Sequence, residues 1–314
     1  MEKFKVSVVV PAYNEQGNLS VLVQRVITVL KNYDEYEIIL INDGSKDDTL
    51  QVMKQLHHEY GCVQYISLSR NFGHQYALKA GLDHATGDCV ISMDGDMQHP
   101  PEIIPSLINK WSEGYDIVYT IRQDKGTEGF FKRFSSKLFY KFFSFLSGLN
   151  IPAGAADFRL LDKKVVQTLK NMPEKALFLR GIIYWLGFKQ CSVSYQVAPR
   201  FSGKSSYSLK KMLALAIVGT TSFSLKPLRL AIYLGFFVAL LGCLLTAYVL
   251  YMKLFAGSVI TGWSSIMCVL LILGGCQLFI MGIIGEYIGR IFIEIKNRPS
   301  YIVDETSFNK KQDI

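Results

Sequence analysis

The spacing of apolar positions along the first 120 or so residues alternates between two periods. "VSVVV" (Val6 to Val10) is a short β-branched run, and a segment with helical spacing, Leu19 to Leu30, follows it. "EIILIND" then ends at Asp43, and a helix opens near "GSKDDT", where Ser45 and Asp48 stand three apart as a capping pair. "VQYISLS" predicts a third strand, "HQYALKAGLDHA" a third helix and "DCVISMD" a fourth strand. Strands this rich in Val and Ile, separated by helices, predict an α/β domain whose mostly parallel sheet is covered on both faces. Later in the chain the amphipathic period disappears. Leu230 to Met252 and Trp263 to Gly285 are uncharged runs, each long enough to cross a bilayer and without the polar face of a core helix.

These patterns divide the chain into an α/β domain over residues 1–226, transmembrane helices over 228–252 and 263–289, and a polar cytosolic tail over 290–314, frayed beyond Pro299. Two segments of the first part, about 128–148 and 207–224, interleave Phe or Leu with Lys and Arg and predict interfacial helices on a membrane surface. Charge adds direction to this layout. The 34 Lys and Arg outnumber the 26 Asp and Glu, for a net +8, and no acidic residue occurs between Glu174 and Glu286. A basic, aromatic, acid-free stretch running into apolar spans suits an anionic lipid surface, so nucleic acid is not the expected partner. Lys210, Lys211, Lys226 and Arg229 flank the first span, and Arg290, Lys296 and Arg298 follow the second. The positive-inside rule places both ends, and the α/β domain, on the cytosolic side of the plasma membrane. Val6 to Val10 is too short for a signal peptide, and the six scattered cysteines form no CxxC pair.

The candidate chemistry sits where the strands stop. "PAYNE" follows the first strand, "NDGS" the second and "DGDMQH" the fourth. In a parallel sheet these ends share one edge, the edge at which open α/β sheets bind ligands. Glu15, Asp43, Asp94 and Asp96 are therefore expected near one another. Clustered carboxylates repel unless a cation joins them, and oxygen donors favour Mg²⁺ or Mn²⁺, which share their shell with substrate phosphates. The chain has no GxxxxGK[ST] loop and no GxGxxG turn after the first strand, so phosphates are expected on a metal rather than on a glycine cradle.

"VVVPAYNEQGNL", "INDGSKDDT", "SRNFGHQYAL", "MDGDMQHPPE" and "DFRLLDKKVV", in this order and with "RFSGKSSYSLKKM" before two spans, resemble the family 2 glycosyltransferases of GT-A fold. More narrowly they resemble the polyisoprenyl-phosphate glycosyltransferases: dolichol-phosphate mannose synthases and the GtrB-type undecaprenyl-phosphate glucosyltransferases. The resemblance implies an inverting, metal-dependent transfer of a sugar, glucose in the first instance, from a UDP-sugar to a polyisoprenyl phosphate. It implies that Pro11, Tyr13, Glu15, Asp43, Arg70 and Asp94 line the nucleotide-sugar site. Asp94, Asp96 and Gln98 are implied as the metal residues. Asp157 takes the place usually given to a catalytic base, with Asp96 and the mobile-loop residues Arg200 and Lys204 on the departing phosphates. Arg122, Arg133 and Ser136 are the candidates for the acceptor phosphate.

One role is open to a chemical argument. A phosphate monoester has a second pKa of about 6, so the acceptor is already a nucleophile at neutral pH. Asp157 is accordingly expected to orient substrate rather than to take a proton. Other readings stay open: a different sugar (mannose, an N-acetylhexosamine, aminoarabinose) on the same acceptor, or a non-catalytic membrane scaffold. A processive synthase of the same fold would carry QxxRW, where this chain has "RGIIYW". A homo-oligomer is neither required nor excluded.

Overall fold

The computed structural model describes residues 3–123, 148, 152, 155–175, 177–196, 221, 224–255 and 262–308. Among them, strands and helices alternate through the first half: β1 (Lys5–Ala12), α1 (Leu19–Leu30), β2 (Glu35–Asn42), α2 (Thr49–Glu59), β3 (Val63–Leu68), α3 (His74–His84) and β4 (Cys89–Ser92). A single 3-10 turn leads into α4 (Ile104–Ser112), then β5 (Ile117–Gln123), β6 (Ala155–Asp162), α5 (Lys163–Lys170), α6 (Leu179–Trp185) and β7 (Gln190–Gln196). Two long helices, α7 (Lys226–Phe255) and α8 (Trp263–Ile295), and a short strand β8 (Val303–Thr306) complete the order.

The eight strands form one sheet in the order β7-β5-β6-β4-β1-β2-β3-β8. β1 pairs in parallel with β2 and β4, and β2 with β3, so the ends of β1, β2 and β4 lie along one edge as expected. β6 runs antiparallel to both β4 and β5, which makes the sheet mixed. The core follows from the sequence period. Leu19, Leu22, Val23, Val26, Ile27 and Leu30 are the buried face of α1, at spacings of three and four. Val6, Val8 and Val10 of β1 and Ile38 and Leu40 of β2 face the same cluster. On the opposite face α3 lies close to the sheet at Gly81, where a Cβ would collide with Val9 and Ile41. That close seat carries the first residue of α3, His74, to the edge where the loops gather.

Two features differ from the sequence reading. The Ser45–Asp48 capping pair does not form. Ser45 Oγ accepts from the Asn14 N–H at 3.0 Å, and α2 starts later, with the Asp47 carboxylate accepting from both Thr49 N–H (3.2 Å) and Thr49 Oγ1 (2.5 Å). Residues 300–308 are not frayed: β8 pairs antiparallel with β3, the Tyr301 hydroxyl donates to Asp83 (2.9 Å), and Ser307 exchanges hydrogen bonds with Tyr65. The polar "VDET" conceals a strand because it lies at the sheet's edge, where one ladder of backbone bonds and few apolar contacts suffice.

The chain divides into two compact units, the sheet domain (with 298–314) and a unit centred on the hairpin, residues 142–148 and 209–297. In the second unit α7 extends the first expected span at both ends, and α8 starts where the second was expected and continues past its end to Ile295. Residues Lys226–Leu245 are long and apolar enough to cross a membrane, with a mean hydropathy of 2.2. Phe236, Leu244, Leu254 and, on α8, Leu278 are each more than half exposed, a surface that suits lipid rather than water. Tyr287 donates to the Ser224 carbonyl (2.6 Å), and Arg290 pairs with Glu286 one helical turn back (3.3 Å).

Candidate active site

The loops after β1 and β2 are locked to each other by reciprocal hydrogen bonds. Asn14, in the left-handed region at φ 58°, accepts at its Oδ1 from Lys46 N–H (2.9 Å). The Gln16 side chain accepts from Asp48 N–H (2.8 Å), and the buried Thr49 hydroxyl from Glu15 N–H (2.9 Å). Gly44, at φ 64°, passes so close to the Arg70–Asn71 backbone that a Cβ could not fit. Pro11 lies in the last rungs of β1, opposite Ile41, and Tyr13 is exposed at the lip.

Asp43 is used internally. Its carboxylate accepts from Phe72 N–H (2.8 Å) and Gly73 N–H (3.0 Å), so it closes the "SRNFG" turn just before α3. It is only 3% exposed. Burial raises its pKa, against those amide bonds and the nearby His74 and Arg70. The resemblance placed Asp43 in the nucleotide-sugar site; in the structure its carboxylate accepts from the loop that holds Arg70. The Arg70 guanidinium stacks over the Phe72 ring at 4.0 Å.

The Asp94-Gly95-Asp96 turn follows β4 and lies against β1: a Cβ on Gly95 would stand 3.4 Å from the Pro11 carbonyl and 3.7 Å from Glu15 Cγ. Burial pushes the Glu15 carboxyl up, and Asp96, Asp47 and Asp94 push it further, against a hydrogen bond from Asn18. Three of the four expected carboxylates thus feel one another, and Asp43 borders them through His74. Gln98 N–H donates to Asp96 Oδ1 (3.1 Å). His99 is buried, stacked on Phe158 at 5.1 Å, and its Nδ1 accepts from Asp94 N–H at 2.9 Å. That bond fixes the tautomer with the proton on Nε2, facing Asp94 Oδ2 at 3.7 Å. His99 therefore shapes the turn.

These donors suit a hard divalent cation. Asp94 and Asp96 offer partly exposed carboxylate oxygens beside a third carboxylate, and Gln98 adds an amide. Among the described residues no group of three His, Cys, Asp or Glu forms a cage of its own. Mg²⁺ or Mn²⁺, which retain waters and phosphate oxygens, match such a partial shell.

Asp157, on β6, has a different setting. Arg180 of α6 meets it with a two-point fork, Nε to Oδ1 at 3.2 Å and Nη2 to Oδ2 at 2.9 Å. Arg159 Nη2 adds a bond to Oδ1 at 3.0 Å. Burial alone would raise the carboxyl, but Arg180, Arg159 and His74 hold it far below the usual carboxylate range. His74 Nε2 stands between the two aspartates, 3.5 Å from Asp94 Oδ1 and 3.8 Å from Asp157 Oδ2. The α3–α6 contact that brings Arg180 into place is Leu179 N–H donating to the Gln75 side chain (3.0 Å).

Sequence reasoning missed Arg159, Arg180 and the bridging place of His74. The signal for Arg159 was its i+2 spacing from Asp157 on a strand, which puts both on one face. Arg180 left no comparable trace, 23 residues away in another element. Arg122 is exposed on β5, opposite Tyr195 of β7. Arg133, Ser136, Arg200, Lys204 and most of the two segments expected to be interfacial helices lie outside the described residues.

A mixed α/β sheet with an acidic turn and an arginine-held aspartate at one strand-end edge, followed by an apolar helical hairpin, defines a membrane-associated enzyme of the nucleotide-sugar transferase class. The chain belongs to glycosyl transferase family 2, whose model matches residues 7–170, and a model of the GtrB C-terminal hairpin matches residues 226–291. It is 43% identical over 304 residues to the bactoprenol glucosyl transferase of Shigella phage SfII, covering 96% of this chain and 98% of that one. It is 44% identical over 301 residues to the uncharacterized glycosyltransferase YkcC of Bacillus subtilis (strain 168), covering 96% and 93%. Among solved structures, a glucosyl-3-phosphoglycerate synthase from Mycobacterium tuberculosis aligns at a TM-score of 0.46 and 18% identity, over 68% of this chain and 75% of that one.

Proposed function

We propose that this enzyme transfers glucose from UDP-glucose to undecaprenyl phosphate, or a closely similar polyisoprenyl phosphate, with inversion at the anomeric carbon. The observation that carries the reading is the convergence of Asp94, Asp96 and Glu15 with the Arg-clamped Asp157 at one edge of the sheet. The near full-length likeness to bactoprenol glucosyl transferases supports this choice of donor and acceptor.

The step balances without a proton acceptor. A phosphate oxygen of the acceptor, mostly dianionic above a pKa of about 6, forms the bond to the anomeric carbon. The bond to the β-phosphate oxygen breaks, and its electron pair leaves with UDP. Asp94 and Asp96, with Gln98, would hold a divalent cation, which supplies positive charge to the diphosphate as it departs. Tyr13, Arg70 and the lip formed by Pro11 and Glu15 border the nucleotide, and Asp43 keeps that lip in shape. Asp157 is a poor base, because two guanidiniums stabilise its ionised form; it suits a fixed acceptor of hydrogen bonds from the sugar. Arg122, Arg133 and Ser136 remain the proposed acceptor-phosphate contacts, and Arg200 and Lys204 the closing cations.

The hairpin is proposed to span the membrane twice, with the sheet domain in the cytosol. A chain that leaves the sheet after β7 and returns to it as β8 crosses an even number of times, and the flanking cations favour the cytosolic side. The test uses the purified full chain in detergent with Mg²⁺ or Mn²⁺, undecaprenyl phosphate and a panel of UDP-sugars, with mass spectrometry of the lipid product. A hexose added from UDP-glucose alone supports the reading. Product only with another sugar overturns the donor, and no lipid product with any donor overturns the reaction.

A further inference from the structure

Arg159 and Arg180, the two arginines that grip Asp157, line a small cavity together with Tyr119, Ile183, Tyr184 and Gln190. It has room for about one water molecule. Two of its lining side chains carry buried polar atoms without a hydrogen-bond partner among the described residues: Arg159 Nε, a donor, and Gln190 Oε1, an acceptor. Arg159 is 4% exposed. Leaving such atoms unmatched in a dry core costs free energy, so a donor and an acceptor bordering one water-sized space point to a bridged pair. The sheet register brings them to one face. Tyr119 of β5 pairs with Arg159 on one side, and Ile117, two residues earlier, pairs with Gln190 on the other.

Resting on the reading of Asp157 given above, we infer that Gln190, Arg159 and Arg180 form a positioning cluster for the reaction. Gln190 holds Arg159 from behind through a buried water. Arg159 and Arg180 then fix both oxygens of Asp157, and its remaining acceptor capacity is directed towards His74 and the sugar. The fork takes Oδ1 twice and Oδ2 once, so Oδ2 is the atom left for a substrate hydroxyl. Gln190 touches no reactant; it acts through Arg159.

The test combines Gln190→Leu, Gln190→Glu and Asp157→Asn in the full chain. Gln190→Leu keeps UDP binding, measured calorimetrically, and the KM for the donor within about twofold, while kcat falls about tenfold, a split a general folding defect would not produce. Asp157→Asn lowers the melting temperature by about 5–10 °C, because two guanidiniums lose their carboxylate. Adding Gln190→Glu places a new carboxylate on the other side of Arg159 and recovers at least half of that loss, without restoring turnover. If Gln190→Glu gives the same melting shift in both backgrounds, Gln190 and Arg159 do not communicate and the cluster is overturned. If Gln190→Leu lowers UDP affinity and kcat together, the residue is merely structural and the inference fails. The melting measurements need no substrate, so they stand even if UDP-glucose proves to be the wrong donor.

Discussion

Asp94 and Asp157 lie on either side of one imidazole, yet their surroundings are opposite. Asp94 shares its turn with Asp96, lies near the half-buried Glu15 and has two imidazoles beside it, His74 at 3.5 Å and His99 at 3.7 Å. Asp157 is buried and held by two arginines. In the first group Asp96 and Asp94 push the Glu15 pKa up, a repulsion that a divalent cation would relieve. The second carries its own counter-charge and needs none. A carboxylate that would hold metal and phosphate stands partly exposed beside other carboxylates, and one meant to keep a fixed charge and a fixed direction is gripped by two guanidiniums.

The largest expected effect comes from removing the acidic pair after β4. Asp94→Ala combined with Asp96→Ala should reduce turnover by at least about a thousandfold, the scale of losing the main stabilisation of a departing anion. Calorimetric titration of Mg²⁺ or Mn²⁺ in the presence of UDP should lose its joint binding signal. Folding should be spared or improved, since mutual repulsion with Glu15 is relieved. A double variant that still turns over, or that unfolds, would erase the distinction between the two carboxylate settings.

Asp157→Asn should cost about a hundredfold in kcat, the scale of a misplaced substrate. Its pH profile separates orientation from proton transfer. The wild type should lose rate only as pH falls through the acceptor's pKa of about 6, and Asp157→Asn should follow the same curve at a lower level. Recovery of the variant at high pH would mark Asp157 as a base. Stability responds in the same sense. The folded carboxyl lies below its unfolded value, so its contribution is complete above an unfolded pKa of about 3.9 and is lost only as pH falls on towards the depressed folded value. Near neutrality the wild type should therefore show no change in melting temperature from this group.

Much of this arrangement was legible in the sequence, and the parts that were not share a cause. The β1 to β4 core and α1 were visible because burial imposes a period on neighbouring residues, and the acidic edge because strand ends in a parallel sheet must coincide. The long apolar runs of α7 and α8 were legible from length alone. The Arg180 fork was hidden because it joins a helix to a strand across 23 residues, and a lone arginine carries no period. The pairing of β8 with β3 was hidden for a related reason. Its partner Tyr65 is some 240 residues away, and four polar residues at a sheet edge resemble a tail.

Clamped carboxylates also occur far from the chemistry, where they should affect stability only. Glu37, at the opposite end of β2, accepts from Ser7 Oγ (2.5 Å), Thr86 N–H (2.9 Å) and Lys5 Nζ (3.0 Å). Burial would raise its pKa, but these donors bring it below the ordinary value. Its stabilisation is therefore present above a pKa of about 4.3 and lost as pH falls through the folded value. Glu37→Gln should cost about 2 kcal/mol, seen as a fall of roughly 4–8 °C in melting temperature, with kcat and KM unchanged. A change in kcat would mean that the sheet transmits strain from one edge to the other.

The smallest effect belongs to Asp83, a third clamped carboxylate, near the C-terminal end of the helix that begins with His74. It is bonded to Lys79 one turn back and to the Tyr301 hydroxyl at 2.9 Å. Tyr301 precedes β8, so this bond ties the chain that returns from the apolar hairpin to the outer face of α3. Tyr301→Phe removes one donor but leaves Lys79 in place and the ring available for packing. The loss should be about 1 kcal/mol, or roughly 2–4 °C in melting temperature. Ending the chain after Pro299 goes further. It removes Tyr301 and β8 together, unpairs the edge of β3 and leaves the Tyr65 hydroxyl, now pushed up to about 12 by burial and by its bond to Glu305, without that partner. The shortened protein should melt lower than Tyr301→Phe and form larger species on size exclusion, since an open strand edge pairs with its own copies. If α3 serves only as a rigid mount for His74, Tyr301→Phe keeps full kcat. A loss of kcat without a matching loss of stability would instead show that the returning strand sets the position of the imidazole between Asp94 and Asp157.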